Sequence, residues 1–514
     1  MENDSLSYRT LKNISYSFVG FVVPIAFSIF ITPVIVHKLG VAEYGVLILT
    51  NTILGFLGLL DLGLTASVVK YISEYHALGE WEKLRRALNS ANTLYWAIGF
   101  VNLAIFFILG KFFLWAFHIG GVSQQNILIV FLLAGLTSFL TAVNSIYTSI
   151  PPALQRYDIV NKINLSQLAA YNLGALVLAL LGFQLKAILA VNLLTVLGMT
   201  VAYKIFSHRL LPALRLRFSW DKQELKKLYS FGIFSAIANI SMSAVNQFDR
   251  LLIPIFLGPT QLSYYSLPGN VAQKTTTVVG SLGGTFFPMA NELAAKGEVE
   301  RLGAIFRKII RNLSVLAAAT TVSIMVFGEK ILRFWIGEEF ALKGTEVLQV
   351  LAITYFLLSL FGIIYNILMG MSRQKSVALW SSVMAFVNLV LLFAFLKPYG
   401  IIGAAWAYFF SVLPVMYLFY WMEKKVFNAQ NIFGFYAKLV FKLATAAAAY
   451  FAVIYYLVLP LVNSLITLLI IGPLAVLFYM LLYRLFGFFE AEDWQVFLSF
   501  FRKILERFGI KQSR

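Results

Sequence analysis

Long apolar runs separated by short polar breaks dominate the chain. A membrane-spanning helix needs about 20 predominantly apolar residues. Fourteen runs approach or exceed that length: 14–37, 45–67, 91–115, 126–150, 162–182, 186–206, 230–257, 262–288, 311–335, 345–370, 376–396, 401–422, 439–459 and 463–486. The expected fold class is an all-α polytopic membrane protein with about 14 transmembrane helices. Two of the runs carry ordered polar positions. In span 7, Asn239, Ser243, Asn246 and Arg250 recur at steps of four, three and four. In span 8, Asn270, Lys274, Thr277, Ser281 and Gly284 recur at four, three, four and three. Each set occupies one helical face.

The pattern also repeats. SEYHALGEWEKL (73–84) and NELAAKGEVERL (291–302) share a glycine, two glutamates and a leucine at an offset of 218. The same offset carries Leu39-Gly40 onto Leu257-Gly258. Six spans separate the copies, an even number, so both copies have the same orientation and the repeat is parallel. The expected layout is an N-lobe of spans 1–6 (1–206), a basic linker (207–229) and a C-lobe of spans 7–12 (230–424). Spans 13–14 (425–486) lie outside the repeat, and a cytoplasmic tail follows (487–514). In the tail, Trp494, Phe497, Leu498, Phe501, Ile504, Leu505 and Phe508 recur at three and four, which predicts an in-plane amphipathic helix on membrane lipid.

Composition and charge narrow the class. The chain is 60% hydrophobic and only 12% charged, so lipid must cover most of its surface. Of its 41 Lys and Arg, 32 fall at the N-terminus or beside the loops after even-numbered spans, and seven on the opposite side. That asymmetry predicts a multi-pass protein of the cytoplasmic (inner) membrane with both termini cytoplasmic. It also accounts for most of the net charge of +18, so no nucleic-acid partner is needed to explain it. There is no cysteine, and the four histidines lack ligand spacing, so no metal site or cofactor is expected. No phosphate-binding loop or nucleophile elbow occurs, and the chain does not read as an enzyme.

The candidate substrate-binding residues are Arg250, Lys274, Asn246, Asn270, Ser243, Asn239 and Thr277. A charge at mid-membrane costs at least about 2.5–3.5 kcal/mol. Counting from the turn at Gly258-Pro259 at about 1.5 Å per residue, Asp249 lies about 14 Å deep and Lys274 about 23 Å. At the offset of 218, Arg250 falls on Thr32, Asn246 on Ser28 and Lys274 on Phe56. The cations are therefore not required merely to build a lobe. Asp249 lies about 100° round the helix from Arg250 and reads as steadying the helix. Asp61 can cap the turn to Thr65, pair with Lys70 or serve in proton coupling. Arg156, beside Asp158 in a turn, is either solvated or a place where a phosphate head first docks.

LLDLGLTASVVKYISEY (59–75), VNQFDRLLIPIFLG (245–258) and SYYS (263–266) resemble the lipid-linked oligosaccharide flippases. These are the O-antigen or polysaccharide exporter branch of the multidrug/oligosaccharidyl-lipid/polysaccharide (MOP) exporter superfamily. The resemblance implies two six-helix lobes plus two helices around a cationic cavity. It implies alternating access that moves a polyprenyl-diphosphate-linked oligosaccharide to the outer leaflet for surface polysaccharide synthesis, beside polysaccharide polymerase machinery. A lipid II flippase and a cation-coupled multidrug exporter of the same superfamily are the alternatives. The latter often carries a carboxylate in span 1, where this chain has none.

Overall fold

The computed structural model describes Pro24 and residues 27–489, apart from Leu62 and residues 117–123, 213–215 and 284–285. The first half of span 1 and the amphipathic tail from residue 490 lie outside the described residues, as does the side chain of Asn239.

Every regular element among the described residues is helical. The first part of the chain forms α1 (Phe27–Leu39), α2 (Val41–Leu57), α3 (Leu64–Ala77), α4 (Trp81–Ala116) and α5 (Gln124–Thr148). After the short α6 (Ile150–Ala153) come α7 (Tyr157–Leu180), α8 (Leu185–Leu210), α9 (Lys222–Leu257) and α10 (Pro259–Ala272). Next are α11 (Lys274–Gly283), α12 (Phe286–Ala295), α13 (Val299–Trp335), α14 (Glu338–Gly370) and α15 (Gln374–Val412). The chain continues through α16 (Pro414–Trp421), α17 (Ile432–Val453) and α18 (Leu465–Leu485).

Ten helical stretches among the described residues are long and apolar enough to cross a membrane. They match spans 2–6, 9, 10, 13 and 14, and one stretch, Gln374–Val426, covers spans 11 and 12 with a kink at Gly400. The ten differ from the expected fourteen for local reasons. Span 1 is only partly described. Spans 7 and 8 are helical but carry the polar stripes, and span 8 is broken at Gln273, between α10 and α11. Span 2 is broken as well: a 3-10 turn (Gly58–Asp61) and Gly63, at φ 77°, separate α2 from α3.

The turns recur along the chain. Gly40 and Gly258 have φ/ψ of 82°/159° and 87°/163°. Gly79 and Gly297 have φ of 69° and 74°, and each closes a helix with the same pair of bonds. Glu80 N donates to Tyr75 O at 2.9 Å, and Glu298 N to Leu293 O at 3.0 Å. Such a cap needs a left-handed residue, which only glycine adopts without strain. Further on, Gln155 and Ser372 share a φ near 60°, and Arg156 and Arg373 each donate 2.8 Å bonds five residues back, at an offset of 217. One contact is nearly reciprocal. Ser263 Oγ donates to Val41 O at 2.7 Å. Gly45 meets Pro259 so closely that a Cβ would lie 1.9 Å from the Pro259 carbonyl oxygen. Val41 and Pro259, and likewise Gly45 and Ser263, stand 218 apart.

Cα packing divides the chain into two compact units: residues up to Ser266 with Leu392–Ala404, and Leu267–Leu391 with residues from Ala405. The units are not the two halves of the sequence repeat, because α9, which opens the second copy, packs in the first unit. Within that unit, α4 and α5 approach through small residues: a Cβ on Gly99 would lie 2.9 Å from the Phe139 ring, and one on Gly135 2.9 Å from Phe106 Cβ. The described end of the linker is tied to α4. Arg217 N donates to Asn89 Oδ1 (2.9 Å), Ser219 N to Thr93 Oγ1 (3.0 Å) and Asp221 N to Ser90 Oγ (3.1 Å). Asp221 then caps α9 through Gln223 N and Glu224 N, so α9 starts at Lys222, earlier than the apolar run suggests.

In the second unit, α17 is held to α13 by a 2.7 Å Ser323–Tyr450 hydroxyl bond, and α18 to α17 by Tyr479 OH donating to Leu443 O at 2.9 Å. Glu423 is fully buried and takes Arg307 Nε at 2.9 Å and the Tyr436 hydroxyl at 3.1 Å. A buried carboxylate needs such partners. The outward faces of α17 and α18 expose Phe441, Phe451, Ile466, Ile470 and Leu474, as lipid contact requires.

Candidate functional site

The polar stripe of α9 belongs to the first unit. Arg250 and Asn246 are both half-buried, and Asn246 Nδ2 donates to Met242 O at 2.6 Å. Ser243 is half-buried on the same face. Arg250 lies within electrostatic reach of Tyr44 on α2, which neighbours Tyr171 of α7 and Thr32 of α1. Arg250 and its repeat counterpart Thr32 thus converge on one tyrosine. Neither Tyr44 nor Tyr171 stands out in the sequence, because tyrosine is common in apolar spans and only the packing selects these two.

Asp249 points away from the stripe. It is 3% exposed, accepts the Tyr265 hydroxyl from α10, and takes the Arg250 amide at 2.8 Å. Those bonds make it a brace for the α9–α10 hairpin. SYYS (263–266) shares that work, since Ser263 holds Val41 and Tyr265 holds Asp249.

Asn270, Lys274 and Thr277 belong to the second unit and are half-buried. The break in span 8 falls at Gln273, so Lys274 is the first residue of α11. The Gln273 carbonyl takes the Thr276 amide and hydroxyl at 3.1 and 2.8 Å and the Thr277 amide and hydroxyl at 3.3 Å each. Thr277 therefore uses its proton to hold the break and keeps its lone pairs. Among the described residues Lys274 forms no ion pair, and the start of α11 adds the positive end of a helix dipole beside it. Such a corner attracts an anion.

Asp61 ends the 3-10 turn in span 2 and caps α3, accepting Thr65 N at 3.1 Å and Thr65 Oγ1 at 3.1 Å. The structure forms the bonds of the first of its three sequence options, the cap. Arg156 lies outside the spans and forks onto Asp158 at 2.8 and 3.0 Å. That hydrogen bonding raises the guanidinium above its ordinary value. No cluster among the described residues has the makings of a metal site.

Solved structures with this fold define the class. A multidrug resistance MATE family transporter of the MOP superfamily, in an inward-facing conformation, superposes with a TM-score of 0.65 at 13% identity, covering 78% of this chain and 94% of its own. Lipid II flippase MurJ, inward closed, gives 0.64 at 14% identity and covers 92% of this chain and 99% of its own. The protein is a polytopic helical membrane protein with the fold of these MOP-superfamily structures.

The chain belongs to the polysaccharide biosynthesis protein family, whose model matches residues 34–342. A Shigella flexneri relative named "Putative O-antigen transporter" is 22% identical over 441 residues, covering 81% of this chain and 98% of its own length. A Haloferax volcanii relative named "Probable low-salt glycan biosynthesis flippase" is 23% identical over 390 residues, covering 75% of this chain and 77% of its own. The resemblance read from span 2 and from spans 7–8 therefore holds across the family-matched region.

Proposed function

We propose that the protein is a flippase that moves a polyprenyl-diphosphate-linked oligosaccharide across the cytoplasmic membrane for surface polysaccharide synthesis. It works by alternating access of two repeat-related lobes around a cationic cavity. The observation that carries this reading is Lys274, a half-buried cation without an ion pair at a helix start in the middle of span 8. Keeping such a charge inside a membrane is costly unless it serves a ligand or a wet cavity. The diphosphate is the ligand that suits it. Arg250, on the neighbouring span, supplies the second positive group, and the amides and hydroxyls of Asn246, Asn270, Ser243, Asn239 and Thr277 suit the sugars.

Two further features support the reading. Spans 2 and 8, which the sequence offset aligns, are both interrupted, though at different places along the span, and interrupted helices line substrate and ion sites in repeat-built transporters. The turns shared at offsets of 217 and 218 support two copies of one helical unit. The Lys and Arg distribution supports cytoplasmic termini, and the polymerase that consumes the flipped product is a fitting neighbour. A lipid II substrate is the second reading. It too is a diphosphate lipid, and the MurJ structure covers more of this chain than the MATE structure does. The discriminating experiment deletes the protein and identifies the accumulating lipid. A lipid-linked oligosaccharide other than lipid II is expected. Accumulation of lipid II alone would replace the first reading with the second.

A further inference from the structure

A separate cavity of about 220 Å³ lies inside the first unit, against the break in span 2. Asp61, Tyr95, Asn102, Thr137, Thr141 and Ser145 line it with Ser138 and Asn192, and among the described residues no Lys, Arg or His does. We propose that this cavity binds one monovalent alkali cation, for which Na⁺ is the test ion.

The chemistry of the wall carries the proposal. Asn102 is 2% exposed, yet its Oδ1 has no hydrogen-bond partner. A buried amide oxygen without a partner is costly, and a bound cation or its water would satisfy it. Three of the α5 hydroxyls in the wall have already committed their protons. Thr137 Oγ1 donates to Leu133 O at 2.8 Å, Thr141 Oγ1 to Thr137 O at 2.8 Å and Ser145 Oγ to Thr141 O at 3.1 Å. Each of these three oxygens is left with lone pairs only, which suits a cation and offers no proton to an anion. With Thr65 Oγ1 donating to Asp61, the Tyr95 hydroxyl donates to Thr65 and likewise keeps its lone pairs.

Charge fixes the valence. Among the described residues Asp61 is the one carboxylate in the wall, and its two oxygens keep acceptor sites beyond the bonds from Thr65. The C-terminal end of α2, whose Leu57 also lines the cavity, adds the negative end of a helix dipole. One carboxylate balances one positive charge. A divalent ion would leave a charge uncompensated inside the membrane. Oxygen ligands beside a helix interrupted in mid-membrane match how transporters hold a coupling ion. At about 30 Å³ per water the space admits an ion with several waters. The proposal rests on the transporter class and not on the identity of the glycan.

The test is ²²Na⁺ binding to the purified full chain in lipid nanodiscs, with no glycan present. Wild type should bind saturably, near one ion per chain. Asp61→Asn keeps an acceptor for Thr65 but removes the charge, and should weaken binding by at least about ten-fold. Asn102→Leu has no cap to lose and should also weaken it, while the exposed Glu292→Gln should not. Excess Ca²⁺ should compete poorly. Absence of saturable binding by folded wild type, or unchanged affinity in both Asp61→Asn and Asn102→Leu, overturns the site. Normal Na⁺ binding in a protein that moves no glycan would leave the site standing and remove the flippase reading.

Discussion

Spans 2 and 8, which a sequence offset of 218 aligns, are both interrupted, but the interruptions differ in place and in chemistry. In span 2 the break is a 3-10 turn that ends on Asp61, and its surroundings are a carboxylate, hydroxyls and amide oxygens. In span 8 the break at Gln273 is held by two threonines, and the next residue is Lys274. One interrupted span therefore presents a negative corner and the other a positive corner. The offset of 218 carries 58–63 onto 276–281, inside α11, so the two breaks fall at different places and each span has its own interruption as well as its own charge.

The largest effects should come from reversing the charge of the second copy. Lys274→Glu and Arg250→Glu should each reduce glycan export to background while the protein still inserts, and Arg250→Lys should retain more activity than Arg250→Glu. Surface polysaccharide and membrane-fraction immunoblots measure both. Equal loss in Arg250→Lys and Arg250→Glu would point to a guanidinium fork instead of charge sign.

The reciprocal contact offers a second comparison. Gly45→Leu drives a side chain into the Pro259 carbonyl and should destabilise by about 1–3 kcal/mol. Ser263→Ala, at the repeat-related position, loses only the bond to Val41 O and should cost about 1 kcal/mol. Thermal unfolding in detergent ranks the two, and the reverse order would break the packing argument.

Asp249→Asn should lower stability by about 1 kcal/mol, because an amide replaces only part of the pairing with Tyr265 and the Arg250 amide. Transport per folded molecule should persist. Loss of transport without loss of stability would move Asp249 from brace to coupling group. The smallest effect belongs to Arg156→Ala. The side chain is exposed and paired with a neighbour in its own turn, so melting temperature should not change. A fall in transport alone would make this turn a docking point for the phosphate head.

Much of this was legible in the sequence because lipid enforces helices and long apolar runs. The glycines of the repeat were legible too, since Gly79 and Gly297 mark caps that need a left-handed residue. Helical spacing separated Asp249 from Arg250, and the structure gives Asp249 its brace in Tyr265. The breaks were not legible. In 45–67 and 262–288 hydropathy continues across them, and what interrupts the helices is side-chain hydrogen bonding by Asp61, Thr65, Thr276 and Thr277. The oxygen-lined cavity also escaped notice, because Asp61, Asn102 and Thr141 come from three separate helices. Asparagines in spans divide the same way. Asn164 bonds Tyr203 across α7 and α8, as expected of interhelical glue, whereas Asn172 bonds Leu168 O of its own helix.

The most direct test of the central claim is translocation by the purified protein in vesicles, followed with a fluorescent short-chain polyprenyl-diphosphate oligosaccharide and a neutral glycolipid of equal chain length. The account predicts that wild type moves the diphosphate lipid and not the neutral one, and that folded Lys274→Glu moves neither. Wild-type rates in Lys274→Glu, or equal transport of the neutral lipid, would contradict it.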